Sequence, residues 1–262
     1  YTMMTSNASA GYVKLSNYNT FTTNGGAFTI SGGPDPTTGY ASGNTAAQQT
    51  DITANGIYFA TGATVNTGAG NVSLRGKLQG SNTNLYTPGT GGTTWPAGVS
   101  MQPSTAITTT SGSVDIYGID PGFSFDNAYR TGVKLDTSTI TTGSGSVNIT
   151  GNVVSDGSTI VSAGIFSSGT SVTSTSGNVT MTGWAPGSGP NPIKFSTAES
   201  TFGSTTGDVL LASGNSNVNT QNLDFLRLTG GGNHTLKFPY VTFNTVTNGF
   251  NAVGSGNLTI TT

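Results

Sequence analysis

One pattern of twelve residues recurs along this chain and limits its possible folds more than any other feature. It reads apolar, any residue, Thr or Ser, two residues, Gly, any residue, apolar, any residue, apolar, then usually Gly two residues later. The copies are FTTNGGAFTISG (21–32), VNTGAGNVSLRG (65–76), ITTTSGSVDIYG (107–118), ITTGSGSVNITG (140–151) and VTSTSGNVTMTG (172–183). A sixth, FGSTTGDVLLASG (202–214), gains one residue before its final Gly. GSGNLTITT (254–262) fits the second half only, and GGGNHTLKFPY (230–240) fits loosely, with its apolar pair displaced to Leu236 and Phe238.

A second element precedes four copies: GIYF at 56, GVSM at 98, GVKL at 132 and GIFS at 164, with GYVKL at 11 a shifted relative. The resulting units, 11–32, 56–76, 98–118, 132–151 and 164–183, are 20 to 22 residues long. The insertions between them, 33–55, 77–97, 119–131 and 152–163, shorten along the chain. A constant unit with variable insertions is the mark of a repeat architecture.

Inside each unit apolar and polar residues alternate, the period of a half-buried strand. Val72 and Leu74, Val114 and Ile116, Val147 and Ile149, Val179 and Met181 are expected to point inward, and Ser73, Asp115, Asn148 and Thr180 outward. Such a unit has room for three short strands but cannot bury its own apolar face. Stacking units about 4.8 Å apart pairs each strand with its copies and builds one apolar column. The expected fold is all-β: a right-handed parallel β-helix, or β-solenoid, with three short strands per coil of about 20 residues, continuous over 1–262.

Equivalent positions should then form outward ladders. One reads Ala27, Asn71, Ser113, Ser146, Asn178 and Asp208; another reads Thr23, Thr67, Thr109, Thr142, Ser174 and Ser204. Stacked Thr, Ser and Asn can bond between rungs, whereas stacked like charges repel. This accounts for a charged fraction of 7% against roughly 25% in ordinary domains. The closing glycines Gly32, Gly76, Gly118, Gly151 and Gly183 are expected to supply corners with φ above zero.

A net charge of −2 with eight scattered basic residues offers nothing to nucleic acid or an anionic membrane. No apolar stretch approaches a length of about 18 residues, so membrane insertion is not expected. The absence of cysteine removes disulfides and thiolate metal sites and suits export of an unfolded chain. A start at Tyr1 and a stop at Thr262 within a repeat suggest a piece of a longer polypeptide.

The repeat, most closely in GVKLDTSTITTGSGSVNITG (132–151), resembles that of filamentous haemagglutinin-like exoproteins. These are large bacterial adhesins exported by two-partner secretion. The resemblance spans roughly residues 11–214 and implies a stalk segment of a secreted, cell-surface protein. The expected partners are cell-surface or matrix components, glycans among them, and the unpaired strand edges of a cut solenoid would also let copies associate end to end or side by side.

No catalytic, cofactor or metal site emerges. Among the acids only Asp115 falls on the outward strand row, without a second carboxylate beside it. His234, the sole histidine, reads as a polar residue of an irregular coil rather than a catalytic or zinc-binding group. The densest polar cluster, IDPGFSFDNAYR (119–130), makes Asp120, Asp126, Tyr129 and Arg130 the candidate contacts for a sugar or calcium ion. Its plainer reading is an Asp-Pro-Gly turn with Asp126 and Arg130 paired. Trp95 and Tyr86 are further candidate contacts within an insertion, and Tyr40, Phe123, Phe125 and Trp184 also lie outside the core motif.

The leading expectation is thus an adhesive stalk. A polysaccharide lyase or glycosidase on the same helix would show two acids within about 10 Å, Asp120 and Asp126 being the pair to inspect. A self-assembling extracellular filament is a lesser alternative, as is an ice or mineral binder, which would show Thr-x-Thr pairs in register on a flat face; Thr20–Thr22 and Thr180–Thr182 do not share one.

Overall fold

A computed structural model describes residues 2–5, 11–32, 35, 37–43, 51–79, 96–121, 130–154, 163–185, 191–215, 221–243 and 249–262. The chain winds as a right-handed parallel β-helix in which each strand pairs with its equivalent one turn away. The longest sheet follows the second half of the repeat: Thr2–Thr5, Phe28–Gly32, Val72–Lys77, Val114–Asp120, Val147–Val153, Val179–Trp184, Val209–Ser213, His234–Lys237 and Leu258–Thr261. An eight-stranded sheet follows the first half, from Thr20–Thr22 to Asn251–Val253. A six-stranded sheet is built from the GIYF-type element, from Val13–Leu15 to Ile193–Phe195. The three expected strands per coil are all present.

The expected inward residues form the core. Val72, Leu74, Val114, Ile116, Val147, Ile149, Val179 and Met181 are buried in register along the long sheet. Opposite them stand Val65, Ile107, Ile140, Val172 and Phe202 from the eight-stranded sheet and Ile57, Val99, Val133 and Ile165 from the six-stranded one. The coil also tightens toward the carboxyl end. Residues bonded between neighbouring turns are 44 apart at Thr20 and Thr64, 33 at Asp115 and Asn148, and 24 at Asn233 and Asn257.

The strands overrun the expected insertion boundaries. Strands Val72–Lys77, Val114–Asp120 and Val147–Val153 continue past the closing glycine, and the next strands begin at Ala97, Thr131 and Ala163. The 33–55 insertion itself supplies a tenth strand, Ala41–Ser42, against Gly76 and Lys77, and a single helical turn, Asp51–Ala54.

Gly76, Gly118, Gly151 and Gly183 are therefore not corners, and none has a positive φ. They are glycine because two sheets converge there. A Cβ on Gly118 would lie 2.0 Å from the carbonyl oxygen of Gly132, and one on Gly151 1.9 Å from that of Gly164. A positive φ recurs instead at the turn that leads into the eight-stranded sheet, and also, at Asn24, Gly25, Gly68, Gly230 and Gly254, at the turn that leaves it. The first of these turns is filled by Tyr18, Gly62, Ser104, Thr137, Gly169, Thr197 and Phe225 in successive coils. Only two of these are glycine, so composition conceals the corner.

The ladder that begins at Asn71 lies outside as expected. Asn71 Oδ1 accepts the Ser113 amide at 2.9 Å, Asn178 Oδ1 accepts that of Asp208 at 2.9 Å, and Asp208 Oδ1 accepts that of Asn233 at 2.9 Å. The other ladder is turned inward: Thr67, Thr109, Thr142, Ser174 and Ser204 are buried. Each threonine hydroxyl donates to the carbonyl of the motif glycine three residues on, as in Thr142 to Gly145 at 2.5 Å. The serines bridge coils, with Ser174 donating to Gly145 and Ser204 to Gly177. Burial of these hydroxyls is tolerated because every one of them closes a turn.

His234 continues the inward column rather than sitting in an irregular coil. It pairs with Val209 on one side and Leu258 on the other, and Leu236 pairs with Leu211. The repeat at 230–240 is thus in register, with histidine where valine is usual. Its side chain is buried, and Nε2 has no hydrogen-bond partner among the described residues. Because such a group costs about 1–3 kcal/mol, His234→Leu is expected to raise the midpoint of urea unfolding. A lowered midpoint would show that the imidazole is satisfied in solution.

Where the six-stranded sheet ends, a side chain carries the ladder onward. The buried amide of Gln221 accepts from the Ile193 N–H at 3.3 Å and donates to the Ile193 carbonyl at 2.5 Å. It joins the two-stranded sheet of Gln221–Asn222 and Val241–Thr242 to the coil before it.

Candidate functional site

Of the six candidate contacts, Tyr86, Trp95, Asp126 and Tyr129 lie outside the described residues. Asp120 and Arg130 are described, and they face one another. Asp120 ends its strand in the long sheet, and Arg130 directly precedes the strand Thr131–Asp136, so the two stand where the insertion leaves the coil and returns. Arg130 Nε lies 3.4 Å from Asp120 Oδ2, with side-chain exposures of 4% and 0%. Asp120 and Arg130 are paired and close the neck of the loop, while the expected pairing of Arg130 with Asp126 lies outside the described residues. Neither side chain presents surface to a ligand.

A second polar cluster escaped the sequence reading. On the outer face of the long sheet, the position before the closing glycine reads Ser31, Arg75, Tyr117, Thr150 and Thr182. Arg75 and Tyr117 break this column of hydroxyls in adjacent coils. Tyr40, from the first insertion, packs beside them with its ring 5.6 Å from that of Tyr117. The Arg75 guanidinium carbon lies 4.8 Å from the Tyr40 ring centre and 4.9 Å from that of Tyr117, and Nη2 donates to the Tyr40 oxygen at 3.0 Å. Desolvation first, and then the neighbouring Tyr117, push the Tyr40 phenol up.

The adjoining outward column supplies Ser73, Asp115 and Asn148 in the register expected for them. Asn148 Nδ2 donates to Asp115 Oδ1 at 2.8 Å and so orients the carboxylate. The two columns enclose a shallow hollow of about 140 Å³ lined by Ser73, Arg75, Asp115, Tyr117, Asn148 and Thr150. A fixed cation, an oriented carboxylate, an amide and hydroxyls can together bind a polar molecule. They include no nucleophile with a paired base, and no second acid. Aligning the residue before each closing glycine would have singled out Arg75 and Tyr117.

Other polar groups act locally. Asp35 accepts from the Thr37 amide at 2.8 Å, the Thr37 hydroxyl at 2.6 Å and the Thr38 hydroxyl at 2.8 Å. These bonds, led by the Thr37 hydroxyl, lower its pKa from 3.8 to about 2. The folded value is depressed, so the contribution to this turn is present above the unfolded pKa and lost as pH falls through about 2. Carbon-13 titration of the Asp35 carboxyl should show a midpoint near 2, moving back toward 3.8 in Thr37→Ala. An unmoved midpoint would refute that assignment of cause.

As expected, the two hydroxyl pairs do not share one register. Thr180 and Thr182 belong to the long sheet, but Thr20 and Thr22 do repeat, on the outer face of the eight-stranded one. One column there reads Thr20, Thr64, Ala106, Thr139, Ser171 and Thr201, and the other Thr22, Asn66, Thr108, Thr141 and Thr173. The repeat had been obscured because the insertions change the spacing between copies.

Among the described residues no group of three or more His, Cys, Asp or Glu side chains converges on a metal position, and no helix is long and apolar enough to cross a membrane. The chain matches no family model, no curated protein and no solved structure.

Proposed function

We propose that this chain is a structural and adhesive segment of a secreted bacterial surface protein, a stalk of the filamentous haemagglutinin type that attaches to cell-surface or matrix components. The observation that carries this reading is the unbroken strand register over nine rungs of the long sheet, a rod of roughly 40 Å at about 4.8 Å per rung. Its rungs are locked by ladders of mostly neutral side chains, and most of its insertions leave the coil between the long sheet and the six-stranded one. That is an economical way to project or display contact surface. At the last rung, Leu258 and Ile260 occupy inward columns yet are 41% and 42% exposed. A further coil, from the same polypeptide or from another copy, would bury them.

Beads coated with the protein should adhere to cultured epithelial cells or immobilised matrix proteins well above albumin-coated beads. Equal adhesion of the two would sink the reading.

The twin hydroxyl columns favour one alternative, a binder of an ordered surface such as ice. Interrupted by Ala106 and Asn66, they form a lattice of about 4.8 by 6.7 Å that is uncharged from Thr20 to Thr201. Inhibition of ice recrystallisation, abolished by Thr141→Lys on this exposed face, would support that alternative. Unhindered crystal growth would dismiss it.

A further inference from the structure

We propose that the hollow around Arg75, Tyr117 and Asp115 is a binding site for a neutral sugar residue. The proposal deepens the adhesive reading, on which it rests for its biological setting, by naming the class of surface component recognised.

The first argument is the break in the ladder. In the two outward columns of the long sheet, the coils on either side carry Thr29 and Ser31, then Thr180 and Thr182. Between them a guanidinium, a phenol and a carboxylate replace hydroxyls, in a chain where 7% of residues are charged. Neutral hydroxyls satisfy the ladder without desolvating a charge, so a cation and a carboxylate side by side on this face depart from the ladder's ordinary chemistry.

The second argument is preorganisation. Arg75 is held over two rings and hydrogen-bonded to Tyr40, and Asp115 is held by Asn148. Side chains already fixed lose little entropy when a ligand arrives. They also stand on strands of a rigid sheet rather than on a mobile loop.

The third argument is charge. Arg75 and Asp115 line one hollow and cancel, so an anionic sugar would face Asp115 and a cationic ligand Arg75. A neutral polyol satisfies both: its hydroxyls donate to the carboxylate and accept from the guanidinium and from Asn148. Tyr117, whose ring carries Arg75, holds the guanidinium at the rim of the hollow.

The test is titration of the intact chain, followed by NMR, with methyl glycosides of glucose, galactose, mannose and N-acetylglucosamine, and with glucuronate and sialic acid as acidic probes. At least one neutral glycoside should bind. Asp115→Ala and Arg75→Met should each weaken that binding about tenfold or more, the cost of one lost charge-assisted hydrogen bond. Thr182→Val, further along the same face, should leave it unchanged, and thermal unfolding would confirm that all three variants fold. The proposal is overturned if no neutral glycoside binds, if an acidic one binds more tightly, or if Asp115→Ala binds like the native chain. Beads that adhere to cells while no glycoside binds would remove this site and leave the adhesive reading intact. Glycoside binding without adhesion would do the reverse.

Discussion

Replacing Gly145 by alanine is expected to destabilise the protein by more than about 4 kcal/mol, a loss of the size reserved for severe steric or cavity effects. Gly145 belongs to a column in which each motif glycine stacks on the one before. A Cβ on Gly145 would lie 2.0 Å from the Gly112 carbonyl oxygen and 2.4 Å from its carbon, and a Cβ on Gly177 would meet Gly145 in the same way. The obstacle is backbone, which cannot swing aside. The rung spacing cannot open either, because strand ladders on three sheets hold it. Gly25 provides the contrast. Its φ is +102° and nothing lies within 4 Å of its missing Cβ, so Gly25→Ala meets conformational strain alone, about 1–2 kcal/mol. Urea unfolding followed by circular dichroism should separate the two variants clearly. Hydrogen exchange should place the damage of Gly145→Ala in the rungs beside it, since each coil contacts only its neighbours. Similar costs for both variants would show that the column needs glycine for its conformation rather than for space, contrary to the geometry.

The distinction between these glycines also marks where the sequence was legible. The rung was readable because alternation, the motif glycine and the near-constant unit length all report the same stacked strand. The inward Val72, Leu74, Val114 and Ile116 are where that pattern puts them. What the pattern could not carry was the reason for a glycine. Gly118 is required by the backbone of Gly132, which lies across an insertion, whereas the left-handed corner accepts Tyr18, Thr137 and Phe225. Likewise Thr142 and Asn178 are both small polar residues in ladders, yet one is buried and closes a turn while the other is exposed and spans rungs. Polarity alone does not tell inside from outside at a corner. His234 misled for the same reason: a polar side chain in an apolar column looks like a break in the repeat until its partners Val209 and Leu258 are known. The candidate site was partly readable. Asp115 stood out on the outward row, but Arg75 and Tyr117 become a pair only when coils separated by a 21-residue insertion, 77–97, are laid in register.

Asp120→Ala is expected to cost about 3–5 kcal/mol, the usual penalty for leaving one charge of a buried pair without the other. The side chains of Asp120 and Arg130 are 0% and 4% exposed, so the guanidinium would lose this carboxylate in a site shielded from water. The backbone there is committed as well: the Asp120 carbonyl accepts the Val154 amide at 2.9 Å and the Arg130 carbonyl accepts the Ala163 amide at 3.2 Å. The neck of the 121–130 loop is thereby tied to the coil that follows, and loosening it should fray the next rung. Arg130→Met should be damaging to a similar degree, for it strands the carboxylate instead. The double variant Asp120→Leu with Arg130→Met removes both charges and should recover most of the loss, because apolar groups of similar size often replace a buried ion pair at little cost. A double-mutant cycle measured by urea unfolding gives the coupling directly. If Asp120→Ala unfolds within about 0.5 kcal/mol of the native chain, as surface substitutions do, then the pair is solvated, and the loop would again be the place to look for a ligand. A large cost with recovery in the double variant assigns these residues to holding the loop, and leaves recognition to the exposed face around Arg75 and Asp115.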